Sequence, residues 1–85
     1  MDVAHAQLLK QLHATLQRYA GWLDRERASV TVRADVRALG AAIDEGADAL
    51  PSLQSLDTNI ARLPSGELRK MLRAAAAQMR CALAE

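Results

Sequence analysis

Apolar residues recur along this chain at helical spacing. Leu9, Leu12, Leu16, Tyr19 and Leu23 follow steps of three and four, the a/d alternation of a helix seam, with Leu8 and Trp22 widening the stripe. The pattern predicts a first helix over 3–28 with Asp2 as its N-cap. A helix of that length would run about 39 Å, long for a compact small domain. Ser29-Val30-Thr31-Val32-Arg33 is β-branched and reads as a connection. A second helix is expected over 32–49, on Val32, Val36, Leu39, Ile43 and Leu50, with Gly46 in the skipped slot. Gly40 and Gly46 each weaken it by about 1 kcal/mol relative to Ala unless they serve close helix approach.

Pro51 would clash with the carbonyl of Ala47 in a continuous helix, so the second helix is expected to stop or kink near Leu50. The period resumes over 52–63 through Leu53, Leu56, Ile60 and Leu63. Leu63-Pro64-Ser65-Gly66 is a break, with Ser65 the expected N-cap and Glu67 in the favoured first turn of a last helix over 66–84. Leu68, Leu72, Ala75, Met79 and Ala82 form the seam of that helix, and Met71 and Leu83 flank it. The expectation is one all-α domain over 1–85, an antiparallel helical hairpin or three-helix bundle with its middle segment broken at Pro51.

Composition sharpens this picture. Of 85 residues, 51% are hydrophobic, but 18 are Ala and 13 Leu, Phe is absent, and Tyr19 and Trp22 are the only aromatics. Helix is favoured over strand. The length excludes barrel enzymes, dinucleotide-binding folds and two-domain proteins. A core built mostly from Ala and Leu is thin, so a homodimer or a partner is expected to supply burial.

The net charge is +1, too small for a strong field toward nucleic acid or an anionic membrane. It is unevenly spread: +2 over 1–34, −4 over 35–57 and +3 over 58–85. Such segments either pair within the fold or steer a partner. The single cysteine, Cys81, allows no internal disulfide, and neither a secretory leader nor a membrane span is evident, so a cytoplasmic location is expected.

No constellation names a chemistry. His5 and His13 lie eight apart rather than four, and Cys81 is remote from both, so no metal site is expected. Cys81 has no His nearby in sequence and reads as an inert thiol. Asp44, Glu45 and Asp48 read as a solvated face opposing the basic last helix rather than as an acid–base or Mg²⁺ pair. The four glycines are scattered, so no phosphate-binding loop forms. No cofactor and no enzymatic activity are expected.

Binding is the expected activity. Arg69, Arg73 and Arg80 share a face of the last helix, fitted to an acidic protein more than to nucleic acid. Ala74, Ala77 and Cys81 form a second, small-residue face, and Met71 and Met79 are adaptable. Leu68, Met71, Leu72, Ala75 and Met79, with Trp22 on the first helix, are the candidate partner-binding residues. The alternative is that these residues fill the chain's own core or a homodimer seam.

The run Leu23-Asp24-Arg25-Glu26-Arg27-Ala28, followed by Ala34-Asp35-Val36-Arg37-Ala38-Leu39 and Ala49-Leu50-Pro51-Ser52-Leu53, resembles the flagellar export chaperones of the FlgN and FliT type. The resemblance spans about residues 8–63. It implies a small, cytoplasmic, all-α chaperone that masks an amphipathic helix of an export substrate, with the last helix facing the partner. The chain is shorter than those families, and its Ser29–Arg33 segment is more β-branched than their turns. The other reading is a small regulatory inhibitor that occludes a folded transcription factor or enzyme.

Overall fold

The computed structural model describes residues 3–23 and 27–84. Among these the chain forms four helices, α1 (Val3–Gly21), α2 (Arg27–Glu45), α3 (Leu50–Ala61) and α4 (Glu67–Ala84), and no strand. α1 packs on α2 and α4, α3 packs on α2 and α4, and the diagonal pairs stand farther apart. Short connections make successive helices antiparallel, and α1 against α4 closes the ring. The result is an all-α bundle measuring 37 × 19 × 18 Å.

The seams meet in the middle. Leu9 and Leu16 of α1, Val32, Val36 and Leu39 of α2, Leu53, Leu56 and Ile60 of α3, and Leu72 and Met79 of α4 are all buried. Leu12, Tyr19, Leu23, Ile43 and Leu68 pack partly covered against them. The core closes largely inside one copy, while Leu8 and Trp22 stay exposed outside it. Four short helices around one axis cover more of a Leu/Ala stripe than the expected hairpin would.

Two boundaries differ from expectation. The first helix ends at Gly21, not residue 28, and Ser29–Arg33 belongs to α2. Val32 and Ser29 are buried there, and that packing outweighs the weak helix propensity of the β-branched run. Trp22 N–H donates to the Tyr19 carbonyl and Leu23 N–H to that of Ala20, tightening the end of α1. Arg33 then reaches across from α2, donating to the carbonyls of Ala20 at 3.1 Å and Leu23 at 2.6 Å. The expected Asp2 cap lies outside the described residues.

The break in the middle segment comes before Pro51. Gly46 has φ +69°, a left-handed conformation that suits glycine. Its N–H donates to the Ile43 carbonyl, and that of Ala47 to Ala42, the paired bonds that close a helix C-terminus. Pro51 then sits in the first turn of α3, where its missing N–H costs nothing. The Leu50 N–H donates to Asp48 Oδ1 at 3.1 Å, fixing the entry. At α4 the first helical bond runs from Lys70 N–H to the Gly66 carbonyl. The Ser65 hydroxyl, expected as the cap, instead accepts from Arg69.

Candidate functional site

The candidate residues of α4 divide by face. Leu72, Ala75 and Met79 point into the bundle, and Met79 has no exposure at all. They belong to the core, one of the two alternatives left open by the sequence, and cannot line an external groove. Leu68 and Met71 are half-buried at its margin. Trp22 is 59% exposed, its ring tilted 39° against Tyr19 at 5.5 Å. It shares a shallow depression at one end of the bundle with Leu63, Pro64, Leu68 and Arg69. The structure thus brings Trp22, Leu68 and Arg69 together, away from Met71.

The three arginines are not equivalent. Arg69 holds the α3–α4 connection, donating to the Leu63 carbonyl at 3.3 Å and to Ser65 Oγ at 3.2 Å. Arg80 forms an ion pair with Asp57 of α3. Arg73 is exposed and makes no ion pair among the described residues, as does Lys70. Two of the three expected steering charges therefore tie the fold together. Asp44 and Glu45 are exposed on α2, which stands diagonal to α4 in the bundle, so they do not oppose the basic stripe. Only Asp57 of the acidic segment meets it.

The small-residue face of α4 is open. Ala74, Ala77 and Cys81 are all exposed. Beside them lies a groove of about 410 Å³ between α1 and α4, walled by Leu8 and Leu12 on one side and Ala77, Gln78, Cys81 and Ala82 on the other. Leu8 is 40% exposed, although α1 has a complete buried seam without it. Leu8 and Leu12 were not among the candidate residues. The signal was Leu8 itself, an apolar residue beyond the Leu9–Leu12–Leu16 seam, which widens the stripe past what the core takes. His5 joins the two helices at the foot of the groove, its Nε2 donating to the Ala82 carbonyl at 2.6 Å.

A second, more polar cleft of about 460 Å³ lies between α1 and α2, lined by residues including His13, Gln17, Arg33, Arg37 and Asp44. Gly40 is the reason α1 comes so close there, because a methyl at that position would overlap the His13 ring. The ring Nε2 donates to the Val36 carbonyl at 3.0 Å. His5 and His13 are thus each committed to a backbone carbonyl of a neighbouring helix. Among the described residues, no three His, Cys, Asp or Glu side chains are grouped to hold a metal ion. Nor is any helix among them long and apolar enough to cross a membrane.

Comparison with models of protein families, with curated proteins and with solved structures finds no match to this chain.

Proposed function

We propose that this chain is a non-enzymatic protein-binding adaptor or chaperone that masks an amphipathic helix of a partner on its α1–α4 face. The observation that supports this most is the open groove walled by Leu8, Leu12, Ala77 and Cys81, apolar surface left partly uncovered among the described residues. Exposed apolar surface next to unpaired charge is the usual form of a helix-binding site. Small side chains let a visiting helix come close, and Lys70 and Arg73 favour acidic residues along its edge. An export-type chaperone working in the cytoplasm, with Cys81 as a free thiol, fits this mode.

The test uses a fluorescein-labelled helical peptide with a Leu/Ala face bordered by Glu, and its counterpart bordered by Lys. The Glu peptide is expected to raise anisotropy on binding, less so at high salt, and to lose binding with Leu8→Glu. Equal binding of both peptides, or indifference to Leu8→Glu, overturns the reading.

A second reading, a regulatory inhibitor that covers a folded surface, rests on Trp22. An exposed Trp over a small apolar depression is the kind of anchor that dominates interfaces between folded proteins. It requires Trp22→Ala, and not Leu8→Glu, to abolish capture of a folded target.

A further inference from the structure

We propose that the helix received on the α1–α4 face is α2 of another copy of this chain, so that copies join in open-ended rows. This rests on the reading of that face as a helix-binding surface and names its occupant.

The outward face of α2 carries Ala34, Ala38, Ala41 and Glu45, all exposed, at steps of four, three and four. Read upward from Cys81, the outward face of α4 carries Cys81, Ala77, Ala74 and Lys70, also exposed, at the same steps. Laid antiparallel, the two faces match in one register. Ala34 meets Cys81, Ala38 meets Ala77, Ala41 meets Ala74, and Glu45 meets Lys70. Asp44 then stands on the same flank as Arg73, and Arg37 on the same flank as Arg80, whose charge Asp57 already balances. Reversing the direction removes the Glu45–Lys70 match and sets Glu45 opposite Cys81 instead. The Glu45–Lys70 and Asp44–Arg73 matches, made only in the antiparallel direction, favour α2 as the occupant in this orientation.

These charges are free to act between copies. Asp44 and Glu45 have no cationic partner among the described residues, and neither Lys70 nor Arg73 has an anionic one. The groove adds apolar depth, with Leu8 and Leu12 forming a wall beside the α4 face against which a second helix can lean. Helix axes pack 8–10 Å apart according to the side chains between them, and facing alanines permit the short end of that range.

Topology sets the form of the assembly. α2 and α4 lie on the diagonal of the bundle. Two copies cannot each place α2 on the other's α4 at once, so the contact is heterologous and does not close into a twofold dimer. Each copy carries one receiving face and one inserting face.

The experiment is sedimentation velocity on the full chain across a range of concentrations and salt. The average mass is expected to rise past that of a dimer with concentration and to fall with salt. Ala77→Glu blocks the receiving face, Ala38→Glu the inserting face, and each variant alone is expected to stay monomeric with unchanged helical circular dichroism. Mixed, they are expected to form a 1:1 complex that grows no further, because one good face of each kind remains. Should Ala77→Glu fail to fold, Cys81→Glu takes its place. As a check on register, Ala34→Cys with the native Cys81 is expected to give a disulfide-linked ladder under mild oxidation. A wild-type chain that stays monomeric, or a variant pair that does not complement, overturns the proposal. If the wild type stays monomeric while the Glu-bordered peptide still binds, only the self-assembly proposal falls. If neither binds, the groove reading falls with it.

Discussion

Across the α2–α3 seam, Asp35 accepts hydrogen bonds from Ser55 Oγ at 3.0 Å and from the Asn59 amide, which is buried. Across the α1–α4 seam, one side-chain link is His5 to the Ala82 carbonyl, and Leu8 and Leu12 lean into an open groove. The first seam satisfies its own polar groups at its edge. The second leaves apolar surface at its edge that no described residue covers. A small bundle thus divides its labour: α2 and α3 hold each other by specific donors and acceptors, and α1 and α4 keep a margin that something else can use.

That contrast can be broken or sharpened by substitution. The largest effect is expected from Met79→Ala, a fully buried side chain, which should lower stability by about 2–5 kcal/mol in urea unfolding. Leu8→Ala, on the same seam but facing the groove, should cost less than about 1 kcal/mol. Equal losses would mean that Leu8 is core and the groove closed in solution. Next comes Asp35→Ala, which strands the buried Asn59 amide and should cost about 1–3 kcal/mol. A neutral result would show that the α2–α3 seam is not held by this contact.

Smaller still is Gly46→Ala, which forces a side chain into left-handed backbone at the α2–α3 turn. It is expected to cost about 1 kcal/mol, with Gly46→Asn milder, as read by thermal unfolding. The smallest net change is expected at Gly40. Replacement by Ala gains about 1 kcal/mol of helix propensity but pushes the His13 ring off the Val36 carbonyl, so the two effects nearly cancel. In a His13→Ala background the same substitution should become stabilising. A double-mutant cycle without that coupling would refute the close packing inferred here.

The buried seams were legible because period and burial agree. Leu9 and Leu16, Val36 and Leu39, Leu56 and Ile60, and Leu72 and Met79 all lie where their spacing puts them. The α1–α2 boundary was not legible, because local preference and tertiary packing conflict at Ser29–Arg33. Val32 and Ser29 continue the α2 stripe backward by steps of four and three, and their burial prevails over β-branching. Pro51 was read as a terminator although the same residue type suits a first turn, and Gly46 held the true stop signal. For the site, sequence spacing identified two faces on the last helix but could not say which one the bundle consumes. That depends on where α1 and α3 stand, which no single helix encodes. The division of Arg69, Arg73 and Arg80 into two structural ties and one free charge has the same origin, because it needs the positions of Leu63, Ser65 and Asp57 in space.

His5, His13 and Arg33 bridge between α1 and its neighbours, and at one end of every such bridge stands a main-chain oxygen, on Ala82, Val36, Ala20 or Leu23. An oxygen of that kind survives any replacement of the residue that bears it. The anchoring points of α1 can therefore drift in identity without losing their acceptors, whereas Asp35 and Asn59 must change in concert. Descendants of this chain should diverge most freely where α1 is moored and most slowly where α2 grips α3.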